Sequence, residues 1–263
     1  MKSRNMFRDI FKYRDLLIML VQRDIRVRYK QAAMGVLWAV FMPIVAVAAG
    51  ILIKKAMSVV SGKPMDLQGV VSISVKVLPW TFFVSALKFS VNSLVGNSSL
   101  ITKIYFPREV LPLASIVACL FDFAIAMVVL TILLIFAKVG VSIYLFWLPV
   151  ILLSLFLFTA GLGFLLSAAN LFYRDVRYIV EVILMFGIFF TPVLFQADMF
   201  GDWQTILLLN PVGSILEAIN DVVVRQRMPD PLWLSYAMIC SVLMFFTGIH
   251  VFHKKEPLFA ENV

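Results

Sequence analysis

Residues 139–173 read VGVSIYLFWLPVILLSLFLFTAGLGFLLSAANLFY, without one charged side chain. An α-helix rises about 1.5 Å per residue, so about 20 apolar residues cross the hydrocarbon core of a bilayer. A membrane β-strand would instead alternate apolar and polar residues over about ten positions. This run is continuous, which makes it a transmembrane helix, placed here from Tyr144 to Asn170. The whole chain agrees: its 263 residues are 62% apolar and 14% charged, with a mean hydropathy of +0.98. Soluble domains sit near 45–50% apolar and about 25% charged, so this chain lacks the polar surface to cover a water-soluble globule. Its 24 Phe, 7 Tyr and 5 Trp exclude intrinsic disorder. Two cysteines, Cys119 and Cys240, each in an apolar run, supply neither a disulfide framework nor a clustered metal site.

Five further apolar runs complete an all-α integral membrane protein of six transmembrane helices: Gly35–Ile53, Val77–Val95, Val110–Ala137, Tyr178–Ala197 and Leu232–His253 beside the run above. Orientation follows from Lys and Arg, which are retained on the cytoplasmic side. Nine precede the first span, from Lys2 to Lys30. If that end is cytoplasmic, Lys103, Arg108, Arg174, Arg177, Lys254 and Lys255 fall on the same side. The outer segments then hold Lys54, Lys55, Lys63, Lys76, Lys138, Arg225 and Arg227, a clear minority. Both termini are therefore expected inside. The net charge of +8 belongs to lipid headgroups on this reading, and no nucleic-acid partner is expected. A signal peptide ending at Ala46-Val47-Ala48 is the rival for the first run, but that triplet lies inside the run rather than after it. The sequon Asn97-Ser98-Ser99 falls on the inner side, where it would stay unmodified.

Residues 1–34 are too charged to span. Phe7, Ile10, Phe11, Leu17, Ile18, Val21 and Ile25 recur at helical spacing, which describes an amphipathic helix in the membrane interface. It serves as an anchor or as a docking surface for a cytoplasmic partner; the residues leave both open. Between the last two spans, residues 198–231 include Asn210-Pro211, a helix start. Val212, Ile215, Leu216, Ile219, Val222 and Val223 follow on one face, with Glu217 and Asp221 off it. A helix on the outer surface, or one dipping back into the membrane, fits that pattern. Lys88 and Asp122 are ionisable residues inside neighbouring spans, and a mutual ion pair is the reading that lowers their burial cost. A proton relay would recruit more acids or a histidine within the spans, whereas His250 and His253 lie at the end of the last one.

Absences narrow the function. There is no G-x-x-x-x-G-K-[ST] phosphate loop, no H-E-x-x-H, no C-x-x-C and no G-x-S-x-G elbow. A transporter or channel subunit is the leading class. A membrane glycosyltransferase would gather acids or histidines at one face, and here the acids are scattered. A proton-coupled transporter is a third class, but the two halves show no inverted repeat.

The chain also resembles a known family. Arg23-Asp24-Ile25-Arg26-Val27-Arg28-Tyr29-Lys30, then Gly35-Val36-Leu37-Trp38 and Pro43, is similar to the entry to the first span of type-2 ABC exporter permeases for polysaccharides. Pro79-Trp80-Thr81-Phe82-Phe83, Ser93-Leu94-Val95-Gly96-Asn97 and the segment from Leu100 to Arg108 resemble that family's second span and first inner loop. Tyr173-Arg174-Asp175-Val176 resembles the second inner loop, and Asn210-Pro211 the outer helix. The resemblance implies a non-enzymatic, channel-forming subunit in the bacterial inner membrane, working as a homodimer with two copies of a separate cytoplasmic ATPase. ATP and Mg are then bound by that partner and no cofactor by this chain. The cargo it implies is a lipid-linked polysaccharide: O antigen, capsular polysaccharide or teichoic acid. It further implies ATPase coupling through Lys103, Tyr105, Arg108, Arg174 and Asp175. With the first and fifth spans near the dimer axis, Trp38, Phe41, Phe186, Phe189, Phe190 and Phe195 become candidates for the substrate channel.

Overall fold

The computed structural model describes residues 12–30, 34–35, 37–61 and 67–259. Phe7, Ile10 and Phe11 of the expected interfacial stripe, the basic residues Lys2, Arg4 and Arg8, and Lys63 lie outside the described residues. Among the described residues, eight helices carry the fold: α1 (Arg14–Lys30), α2 (Leu37–Ser61), α3 (Leu67–Asn92), α4 (Val110–Phe136), α5 (Leu148–Phe172), α6 (Val176–Phe190), α7 (Pro211–Val223) and α8 (Pro231–Lys255). Short helical turns join them, among them Ser98–Lys103 after α3 and Glu256–Leu258 after α8. The architecture is all-helical because every backbone N–H and C=O in lipid must find its partner within its own segment.

Among the described residues, five helical stretches are long and apolar enough to cross a membrane: Leu37–Ala56, Gln68–Asn92, Val110–Phe136, Ile143–Phe172 and Pro231–Leu258. The expected span Tyr178–Ala197 is not a single helix. Its helix, α6, has 15 residues and stops at Phe190. Pro192 is the physical reason: proline disfavours helical backbone in the residue before it, and Thr191 is extended at φ −117°, ψ 138°. The expected second span is displaced as well. α3 starts ten residues before Val77 and takes Lys76 into the helix, so Lys76 does not belong to an outer loop.

Helix α3 is the hub, with α2, α4, α5, α6 and α7 all packed against it. Most of its residues from Val71 to Val91 are buried. The broadest helix pair is α5 with α8, built on small residues. A Cβ on Gly161 would lie 2.4 Å from the Met244 carbonyl oxygen, and one on Gly248 would lie 2.2 Å from that of Gly161. Only hydrogen at both positions lets these backbones approach so closely, the usual device where lipid offers no hydrophobic drive between helices. Ser154 and Ser241 add a hydroxyl contact of 3.3 Å across the same seam.

The segment between α6 and α8 folds inward. Asn210 caps α7 by accepting from the Val212 N–H at 3.1 Å, and Pro211 occupies the first turn. Every residue from Val212 to Val223 is buried, with α3, α5 and α8 around the helix. A helix lying on the surface is thereby excluded; α7 sits among the spans.

Gly248→Val should therefore reduce stability by roughly 1–3 kcal/mol, the range for overpacking a tight contact. Gly96→Ala, where nothing lies within 4 Å of the added carbon, is the control. Equal thermal midpoints for the two variants in detergent would show that the α5–α8 seam tolerates a side chain.

Candidate functional site

A cleft of about 580 Å³ opens where the end of α1 meets α2, α3 and α4. Trp38, Phe82, Phe89 and Phe123 contribute aromatic walls, and Arg28, Tyr29 and Asp122 form a polar patch. The Arg28 guanidinium donates to Asp122 Oδ2 at 2.6 Å and to Cys119 Sγ at 3.3 Å. Its other face lies over the Phe89 ring, 3.9 Å from the centroid. The Tyr29 hydroxyl donates to Asp122 Oδ1. Burial, reinforced by that bond to a carboxylate, pushes the Tyr29 hydroxyl above its ordinary range, so it stays neutral and keeps its proton for Asp122. The expected Lys88–Asp122 pair does not form. Lys88 lies on an exposed face of α3, while Asp122 is satisfied by Arg28 and Tyr29 from α1, which packs along α4.

Helix α1 is held by more than this pair. Arg23 Nη1 donates to Asn97 Oδ1 at 2.7 Å, and the Ser115 hydroxyl donates to Asp24 Oδ2 at 3.3 Å. The side chain that α1 buries is Leu20; Ile18, one of the expected apolar stripe, is 51% exposed, beside Met19 and Val27. Leu17 and Val21 of that stripe pack against the core of the bundle, so the apolar face of α1 is turned toward the spans, while Ile18 and Val27 are exposed on opposite faces of the helix.

At the same end of the bundle, Lys103 and Tyr105 follow α3, and Arg174 and Asp175 lie between α5 and α6; all four are exposed. Arg108 turns inward, donating through Nη1 to the Glu256 carbonyl oxygen at 2.6 Å. Asn170 ties the second of these loops down: its Nδ2 donates to the Val91 carbonyl at 3.0 Å, and its Oδ1 accepts from the Arg177 N–H at 3.2 Å. The four thus stand exposed in the two loops that follow α3 and α5, while Arg108 is committed to the turn after α8.

The six aromatic candidates separate into three places. Trp38 is half-buried in the cleft and meets Phe41 edge to face, with ring centroids 5.5 Å apart. Phe41, Phe186, Phe189 and Phe190 stand exposed on α2 and α6, two helices that each pack on α3. Phe195 is off the helix, in the turn after Pro192, where its carbonyl oxygen accepts from Lys76 Nζ.

That contact belongs to a buried network which hydropathy reading missed. Lys76 is fully buried, and its Nζ lies 3.0 Å from Glu217 Oε1 of α7. Glu217 also accepts from the Ala197 N–H at 3.2 Å. One turn along α7, Asp221 receives Arg225 at 3.3 Å and Arg227 at 2.9 Å, and Arg225 reaches Asp198 at 2.7 Å. The signal was present in the i, i+4 acids Glu217 and Asp221 on an otherwise apolar helix.

The family described as ABC-2 type transporter matches residues 15–224, from α1 through α7. The chain belongs to the ABC-2 type transporter family. Its relatives include an O-antigen export system permease protein RfbA of Myxococcus xanthus, 27% identical over 259 residues that cover 97% of this chain and 98% of the relative. Two proteins of the same description from Klebsiella pneumoniae are 27% and 26% identical, each alignment covering 94% of both chains. As an ABC-2 permease this is a multi-pass membrane subunit of a transporter, which accounts for the missing phosphate loop.

Removing one partner of a buried ion pair costs about 3–5 kcal/mol because the other charge stays desolvated. Glu217→Ala should lose stability on that scale, and Lys76→Met with Glu217→Ala should recover part of it. Additive losses in the double-mutant cycle would deny any coupling between the two residues.

Proposed function

We propose that this ABC-2 permease is the membrane subunit of an exporter that moves a lipid-linked polysaccharide, O antigen, outward across the bacterial inner membrane. The observation that carries the proposal is the near full-length similarity to three O-antigen export permeases. The subunit acts as a homodimer and has no enzymatic activity of its own. Two copies of a cytoplasmic ATPase bind ATP and Mg, and membrane lipids surround the spans. Both termini are cytoplasmic, in keeping with the basic residues of α1 and the end of α8.

Exposed Lys103, Tyr105, Arg174 and Asp175 form the face offered to the ATPase, and Arg108 stiffens it from behind. Motion there reaches the spans because Asn97 and Asn170 hydrogen-bond the loops to α1 and α3. The sugar path runs between the α2 and α6 faces of the two subunits, along Trp38, Phe41, Phe186, Phe189 and Phe190. Sugar rings present C–H faces that lie on flat aromatic side chains, and a conduit for many identical units must hold each of them weakly. Phe195, half-buried in the turn whose carbonyl oxygen binds Lys76, is the sixth candidate for the lining, beyond the end of α6.

The purified chain should hydrolyse no ATP without its partner and should run as a dimer; hydrolysis by this polypeptide alone would overturn the reading. Arg174→Ala and Asp175→Ala should abolish glycan export while leaving insertion and dimerisation intact. Full export by both variants would place the coupling face elsewhere. Cysteines substituted at Trp38, Phe41, Phe186, Phe189 and Phe190 should react with a membrane-impermeant thiol reagent during turnover. Uniform protection of all five would move the path to other helices.

A further inference from the structure

Where the loop after Ser98–Lys103 enters α4, Glu109 is almost completely enclosed, 1% exposed. Neither of its carboxylate oxygens accepts a hydrogen bond among the described residues. A carboxylate withdrawn from water in this way needs a compensating positive charge. The last turn of α8 and the turn that follows it bring two further ligand groups: His253 Nε2 lies 3.3 Å from Glu109 Oε1, and a carboxylate oxygen of Glu256 completes the group. One ligand atom from each of the three residues lies within 4.8 Å of the other two. We propose that Glu109, His253 and Glu256 form a binding site for a divalent transition-metal ion of the zinc class.

The donor set suits such an ion: a neutral imidazole nitrogen and two carboxylate oxygens are ordinary zinc ligands, and the two negative charges balance the ion. The surrounding charges permit it. Arg108 directs its guanidinium to the Glu256 carbonyl oxygen and lies over the Phe259 ring, while Lys255 lies over the Phe172 ring. Lys254 and His250 are exposed. An ion bound here would clamp the start of α4, directly after the Arg108 loop, to the end of α8. Those two segments are otherwise joined by Arg108, which reaches Glu256 through its N–H at 3.4 Å and its side chain at 2.6 Å. The ion would therefore set the stiffness of this corner. The site stands on its own geometry and does not depend on the identity of the cargo.

The test uses the full chain, purified in detergent through a tag without histidine, stripped with EDTA and titrated with Zn²⁺. About one zinc per chain should remain after gel filtration, and Zn²⁺ should raise the thermal midpoint reversibly. His253→Ala, and separately Glu256→Gln, should weaken binding at least about tenfold, since even outer partners of metal ligands cost 10–100-fold. His250→Ala and a variant lacking Cys119 and Cys240 should bind as the natural chain does. No retained zinc and no midpoint shift in the natural chain would overturn the proposal and leave Glu109 and His253 as a simple ion pair. Binding unchanged in both ligand variants would overturn it equally.

Discussion

A single ammonium group organises the end of the molecule opposite α1. Lys76 in a helix flanked by other helices would be untenable alone, since removing an unpaired charge from water costs many kcal/mol. Its partners come from two segments: the Glu217 carboxylate from α7 and the Phe195 carbonyl from the turn beyond α6. For Glu217 to arrive, α7 must enter between α3, α5 and α8 rather than lie across them. For Phe195 to arrive, α6 must end early, which Thr191-Pro192 ensures. Glu217 then holds the Ala197 N–H, fixing the start of the return path to α7. The buried pair contributes little net stability of its own, but it leaves few alternatives for the connection.

The opposite end is built on a different scheme. There the polar ties run between α1, the two short loops and the helix ends, and each tie links an element bearing exposed charge to a buried one. Asn170 bridges Val91 at the end of α3 to Arg177 at the start of α6. Arg28 joins α1 to Asp122 in the middle of the run that forms α4. Push on such loops and the displacement passes to α3, α4 and α5, since hydrogen bonds of this kind are stiff and lie within a closely packed interior. This is the mechanical property that a subunit driven by a separate ATPase requires.

The helical spans were legible because lipid exposure writes long apolar runs, and Tyr144–Asn170 could be nothing else. What hydropathy obscured has one cause: an intramembrane charge is interpreted through its sequence neighbours, whereas its partner comes from elsewhere in the fold. Lys76 looked like the end of a loop because Glu217 lies 141 positions away. Asp122 was matched to Lys88 because both were assigned to adjacent spans, yet Arg28, 94 positions earlier, reaches it. The Glu109–His253 approach was hidden for the same reason, since the two residues lie far apart in the sequence at the ends of different helices. Arg108 was readable as basic and near a loop, but its inward turn depends on Glu256 beyond the last span. Pro192 is the residue of the expected span Tyr178–Ala197 that carries the break, and hydropathy alone gives it no weight.

Burial is distributed unevenly among the helices, and this bears on which of them can move. In α5, the faces toward α8, α3 and α4 are each committed: Gly161 meets Met244, while Gly163 has no room for a Cβ beside Ser90 and Ile116. In α6 only Val180 and Leu184 are buried, and in α2 between Leu37 and Ala56 only Ala39, Val47 and Gly50. Exposure of Phe or Leu costs nothing in lipid, so it does not by itself mark a conduit. The contrast in packing does carry information, because helices in a membrane are held together by close fit and polar bonds rather than by solvent. Helices that fit tightly form the fixed body, here α3, α5, α7 and α8. Helices attached along a narrow strip separate from it at lower cost. Displacing α2 or α6 would therefore leave the Lys76–Glu217 pair and the close α5–α8 seam intact.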